Sequence, residues 1–148
     1  MYALDEMGGG ASLSDDVKSR LAECVFGHPC AYVLFAYLES EPVGLITCLL
    51  SLSTFAAKPI LNVHDIAVRP EVRGQGIGRA LLAAAESLAL ELGCCRMSLE
   101  VLEHNPARRL YAAAGFLGCE EPATRPRTYF CTKELDGLRN SSEGPRRP

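Results

Sequence analysis

What this chain lacks narrows it before any motif is read. It has no basic excess: 15 Lys and Arg stand against 18 Asp and Glu, for a net charge of −3. A broad basic field that could meet a phosphate backbone is therefore missing, which argues against nucleic acid as a partner. No run approaches the roughly 18 to 20 apolar residues of a membrane span. The longest apolar stretch, residues 43–52, carries Gly44, Thr47 and Ser51 and reads instead as a buried strand. The start, Met1-Tyr2-Ala3-Leu4-Asp5-Glu6, has neither the basic residues nor the apolar run of a secretion signal. Seven cysteines occur without a C-x-x-C pair, and the three histidines complete no zinc pattern with them, so no metal is expected. Their odd number argues against a disulfide framework. Reduced, mostly buried thiols in a cytoplasmic protein are the expectation.

There is also no internal repeat and no dividing linker. The chain has 148 residues, enough for one domain with a real core and too few for two. That domain is expected over residues 1–135. Residues 136–148 are rich in Gly, Pro, Ser and Arg and are expected to be a disordered tail.

The patterned segments follow in order. Ser14 can cap a helix whose first turn holds Asp15 and Asp16, with Val17, Leu21, Cys24 and Val25 at helical spacing. Residues 31–38 and 43–51 read as strands of an antiparallel hairpin around the turn Glu39-Ser40-Glu41-Pro42, and residues 54–59 as a loop. Residues 62–68 read as a third strand. A glycine-rich turn leads into a helix reaching about Leu92, with Gly93 as its left-handed end. Residues 96–101 read as a strand. Asn105-Pro106 opens a short helix over residues 107–114, stopped by Gly115. Short strands are expected at residues 116–119 and 128–135. The order predicts an α/β domain with a mixed sheet.

The glycine-rich turn, Arg73-Gly74-Gln75-Gly76-Ile77-Gly78, carries the chemistry. A turn of this kind before a helix offers backbone N–H groups without intrahelical partners at the positive end of a helix dipole. Glycine also admits close approach of a ligand. An anion, most simply a phosphate, belongs there. A nucleotide P-loop requires Gly-Lys-Ser/Thr, whereas Gly78 is followed by Arg79-Ala80. A dinucleotide fingerprint requires G-x-G-x-x-G, and here the third glycine comes one position early.

The turn does match the R/Q-x-x-G-x-G/A loop of the GNAT N-acetyltransferases, and the chain resembles that family over most of its length. Val68-Arg69-Pro70-Glu71-Val72-Arg73-Gly74 is similar to the family's strand exit, Leu81-Leu82 to its helix start and Leu99-Glu100-Val101 to its fifth strand. Ala107, Leu110, Tyr111, Gly115 and Phe116 are similar to its distal A-x-x-L-Y-x-x-x-G-F motif. The resemblance implies the GNAT fold: a mixed, twisted sheet whose central strands splay apart, flanked by helices. It implies acetyl-CoA as co-substrate, with its pyrophosphate on Gly74, Gln75, Gly76, Ile77 and Gly78 and with Arg73 and Arg79 nearby. The freed backbone of Ile66, Ala67 and Val68 would pair with the pantetheine arm. A small-molecule primary amine would enter from the opposite side and attack directly in a ternary complex.

Tyr111 matches the tyrosine that the family often uses as general acid toward the departing sulfur. The region around residue 64 is similar to diamine and polyamine acetyltransferases, which carry Glu-Asp where this chain has His64-Asp65. His64 is the first choice for the base and Asp65 the second; a structural role for His64 is equally open. Strand alternation sets Asn62, His64, Ile66 and Val68 on one face, with Val63, Asp65 and Ala67 on the other. Glu100 is a further candidate for the cleft wall.

Two features depart from the family. Its asparagine stands seven residues before the tyrosine, where this chain has His104, with Asn105 one place later. Both are candidates for the coenzyme contact, and Asn105 is also read as a helix cap before Pro106. The family's first strand is missing or replaced, since residues 1–5 look helical. A truncated start, or a partner chain completing the sheet edge in a homodimer, would account for it. A protein N-terminus or lysine as acceptor, and a non-catalytic acyl-CoA sensor, are the alternative readings.

Overall fold

The computed structural model describes residues 13–119 of the 148. The expectations for residues 1–5, 128–135 and 136–148 lie outside the described residues.

Helix α1 (Asp15–Phe26) starts as its sequence dictates: the Val17 N–H donates to Ser14 Oγ at 3.4 Å. Strands β1 (Ala31–Leu38) and β2 (Glu41–Ser53) form the expected antiparallel hairpin. Strand β3 (Lys58–Val68) is antiparallel to β2; it starts inside the segment expected to be a loop, and β2 runs two residues past its expected end to Ser53. A short 3-10 turn over Pro70–Val72 leads through the glycine turn to α2 (Ile77–Glu91). Strand β4 (Arg96–Leu99) then runs parallel to β3, and α3 (Arg108–Ala113) follows. Among the described residues the sheet has the order β1-β2-β3-β4. It is mixed, as the fold class requires.

Helix α2 builds the core. Ile77, Leu81, Leu82, Ala85 and Ala89 recur at helical spacing and are buried against Ile46, Cys48, Leu61 and Val63 of the sheet. Each large aliphatic side chain buried this way contributes about 2 kcal/mol. The helix packs close because β2 presents Gly44. A Cβ there would stand 3.1 Å from Leu81 Cδ1, 3.2 Å from Ile77 Cγ2 and 3.2 Å from the Ala67 carbonyl oxygen. The helix ends as expected: Gly93 has φ +69°, and Cys94 N–H returns to the Ala89 carbonyl.

Four local expectations are corrected. Strict alternation on β3 fails at His64. Thr47 pairs with Asp65 and Cys48 with Val63, so His64 is an extra residue, a β-bulge. Beyond it the faces exchange: Ile66 and Val68 join Leu61 and Val63 on the α2 side, while Asp65 and Ala67 join Asn62 on the other. Strand β4 stops at Leu99 rather than residue 101. Residues 116–119 form a turn, not a strand, with Gly118 at φ +89°. Helix α3 has Ala107 as its N-cap, so Asn105 does not cap it; instead Asn105 Oδ1 accepts the Ala107 N–H at 2.9 Å in a turn that precedes the helix.

Candidate functional site

The β3–β4 ladder runs from Ile60 and Arg96 to Val63 and Leu99 and ends there, while β3 continues to Val68. The two strands part at the His64 bulge. This leaves residues 64–68 with an edge that β4 does not cover. Bulges bend a strand and increase its twist, which is the local cause of the opening.

The glycine turn closes one end of the opening. Gly74 has φ +79° and Gly76, the N-cap of α2, has φ +85°. Both lie in the left-handed region, which glycine enters without the Cβ penalty. This path turns the backbone so that the N–H groups of residues 74–79 find no acceptor among the described residues. Those at 77–79 are the orphan donors of the first helical turn. Gly78 serves packing instead: a Cβ there would stand 3.0 Å from Leu110 Cδ2 of α3.

Helix α3 forms the other wall, and its motif residues explain one another. The Tyr111 N–H bonds to the Ala107 carbonyl, and Gly115 at φ +89° reverses the chain. The Phe116 N–H then returns to the Tyr111 carbonyl at 3.0 Å. The Phe116 ring meets the Tyr111 ring edge to face, with centroids 6.2 Å apart. Tyr111 is 7% exposed, held in the wall rather than on the surface.

Together these walls enclose a cleft of about 770 Å³, within the usual range of small-molecule sites. Of the residues singled out in the sequence, it gathers His64, Asp65, Ile66, Ala67 and Val68 from β3 and Tyr111 and Asn105 from the α3 region. It also gathers Arg73, Gly74, Gly76, Ile77, Gly78 and Arg79 from the turn, and Glu100 beyond β4. Gln75 and His104 do not line it. Among the two candidates for the family asparagine, the geometry therefore brings in Asn105. Arg73 holds the strand exit: its Nε donates to the Val68 carbonyl at 3.0 Å. Sequence reading missed Leu13, Val72, Pro106, Ala107 and Leu110 as lining residues. Val72, Ala107 and Leu110 stand in motifs the sequence shows, but as apolar side chains they carry no chemistry-bearing group that would mark them as lining the cleft.

In the core, burial pushes the Cys48 thiol up to about 11, and the thiol is fully enclosed. It belongs to the core and is not a nucleophile.

Comparison with known proteins agrees with this architecture. The model of the acetyltransferase (GNAT) family matches residues 3–116. Thialysine N-epsilon-acetyltransferase of Bos taurus is 36% identical over 123 residues, covering 74% of this chain and 72% of that protein. Among solved structures, a transcriptional regulator from Bacillus halodurans superposes with a TM-score of 0.71 at 21% identity, covering 88% of this chain and 89% of that one. An aminoglycoside N-acetyltransferase in complex with CoA superposes with a TM-score of 0.64 at 20% identity, covering 81% and 90%. At those identities the two structures speak for the fold. The family match and the bovine relative go further: the chain belongs to the GNAT family and is an N-acetyltransferase.

Proposed function

We propose that the cleft takes acetyl-CoA as donor and moves its acetyl group to the primary amine of a small molecule in a ternary complex. One observation carries this reading. The N–H groups of Gly74 and of residues 76–79, without acceptors among the described residues, belong to residues that line the same cleft as the strand edge uncovered beyond Val63. An extended ligand with a doubly charged anionic centre fits both at once. The match between donor set and pyrophosphate is chemical: hydrogen-bond donors and a helix N-terminus, with Arg79 alongside. The relative's name, thialysine N-epsilon-acetyltransferase, favours a small amine as acceptor.

Bound acetyl-CoA would supply an activated acetyl thioester; the chain's residues would bind, orient and manage protons. Backbone groups of residues 66–68 extend the sheet onto the pantetheine arm, with Arg73 keeping the Val68 carbonyl in place. Asn105 borders the arm. Tyr111 Oη delivers a proton to the departing sulfur. His64, on the exposed bulge, takes the proton of the incoming ammonium, with Asp65 beside it as the second candidate. The bulge serves both ends of the reaction, since it opens the strand pair and turns His64 out of the ladder.

The test is release of free thiol from acetyl-CoA over a panel of acceptors: thialysine, spermidine, an aminoglycoside, free amino acids and peptides. The expected outcome is turnover with one or more small amines and none with peptides. Turnover confined to peptides would move the acceptor class to protein amines. Binding of acetyl-CoA without turnover on any acceptor would sink the enzymatic reading of the cleft.

A further inference from the structure

The acceptor side of the cleft holds a contact that belongs to no motif. Asn62 and Ser98 are register partners across the parallel β3–β4 pair, one position before the ladder ends. The Asn62 amide nitrogen donates to Ser98 Oγ at 3.2 Å. It also donates to the Glu100 carboxylate, at 3.2 Å to Oε2 and 3.4 Å to Oε1. Glu100 follows the end of β4 and lines the cleft with His64 and Asp65. Its ion-pairing capacity is unused by any Lys or Arg among the described residues.

The chemistry of this arrangement is selective. A lysine or arginine neighbour would orient a carboxylate but cancel its charge. A neutral amide donor orients it and leaves the negative charge for another partner. The amide is itself held in place, because Asn62 sits inside a paired strand and Ser98 accepts from the same nitrogen. An exposed glutamate one residue beyond a strand end otherwise samples many rotamers. The His64 bulge adds to this, since it brings Asp65 onto the face of Asn62, away from α2.

We propose that Glu100 receives the positive charge of the acceptor amine at the cleft mouth, and that Asn62 is a positioning residue that keeps the Glu100 carboxylate turned to it. A charge held at a water-accessible mouth recognises an ammonium without the desolvation cost of a buried pair. This inference rests on the reading of the cleft as an acetyl-transfer site.

The experiment is steady-state kinetics of the full chain with thialysine, spermidine and butylamine as acceptors, for wild type, Glu100→Gln, Asn62→Ala and the double variant. Glu100→Gln raises the acceptor KM about tenfold, the scale on which a lost charge contact weakens binding. The acetyl-CoA KM stays within about twofold of wild type. Asn62→Ala raises the acceptor KM in the same direction and adds nothing in the Glu100→Gln background, because the two act through one contact. Glu100 is exposed, so its variant tests the idea even where Asn62→Ala perturbs folding. An unchanged acceptor KM in Glu100→Gln overturns the inference, as does a fall in kcat alone. Fully additive effects of the two substitutions overturn the role of Asn62. Absence of turnover by wild type would instead remove the acetyl-transfer reading on which both rest.

Discussion

At the scale of single residues, the proposed chemistry concentrates on Tyr111. Its position follows from local causes: an Ala107 carbonyl for its N–H, a left-handed Gly115 that returns the chain, and a Phe116 ring that meets its own. A side chain held this way can donate a proton at one point in space without paying to be ordered first. Replacing it by phenylalanine keeps the ring contact and removes only the hydroxyl. Tyr111→Phe should lower kcat about 100-fold, the usual scale for loss of a general acid. Acetyl-CoA affinity, measured by calorimetric titration, should stay at its wild-type value. Equal kcat in the variant would take the proton-donor role from Tyr111. Its motif was legible because the helix, the glycine and the phenylalanine stand at fixed offsets. The contact between Asn62 and Glu100 was not legible, because it joins two strands and depends on where their ladder stops.

At the scale of elements, the joint between β2 and α2 sets the geometry of the glycine turn. Gly44 has the Leu81 and Ile77 side chains and the Ala67 backbone within 3.2 Å of where a Cβ would stand. Two of those neighbours belong to α2, whose first turn carries the orphan donors. The third belongs to β3, whose edge borders the cleft. Gly44→Ala should therefore force the helix and strand apart, costing about 1 to 3 kcal/mol as overpacking does. It should also weaken acetyl-CoA binding although residue 44 does not line the cleft. Chemical denaturation and acetyl-CoA titration check the two effects; an unchanged midpoint would show that the joint has slack. Element identity was largely readable from periodicity. Ser14, Gly93 and the β1–β2 hairpin sit where their sequence signals put them. The failures have a shared physical origin. The bulge at His64, the early end of β4 at Leu99 and the turn at residues 116–119 are decided by what a strand pairs with. Pairing is a tertiary fact that alternation within one segment does not contain.

At the scale of the molecule, the proposed function divides the cleft into a donor half and an acceptor half. The donor half is made of backbone: N–H groups over residues 74–79 and the open edge of β3. Backbone devices leave glycines at fixed positions, which is why that half could be read from one sequence. The acceptor half is made of side chains from separate elements, His64, Asp65, Glu100 and Asn62, brought together by the splay of two strands. His64, Asp65 and Glu100 could be singled out from the sequence, but the Asn62 contact that orients Glu100 could be seen only in three dimensions. The central claim is that both halves are occupied at once and that the acetyl group passes directly between them. The initial rate of thiol release, over a grid of acetyl-CoA and acceptor-amine concentrations, tests this most directly. Double-reciprocal lines that intersect are the predicted result, because transfer within a ternary complex requires both ligands before either product leaves. Parallel lines would mean that the acetyl group first resides on the protein, and would contradict the account.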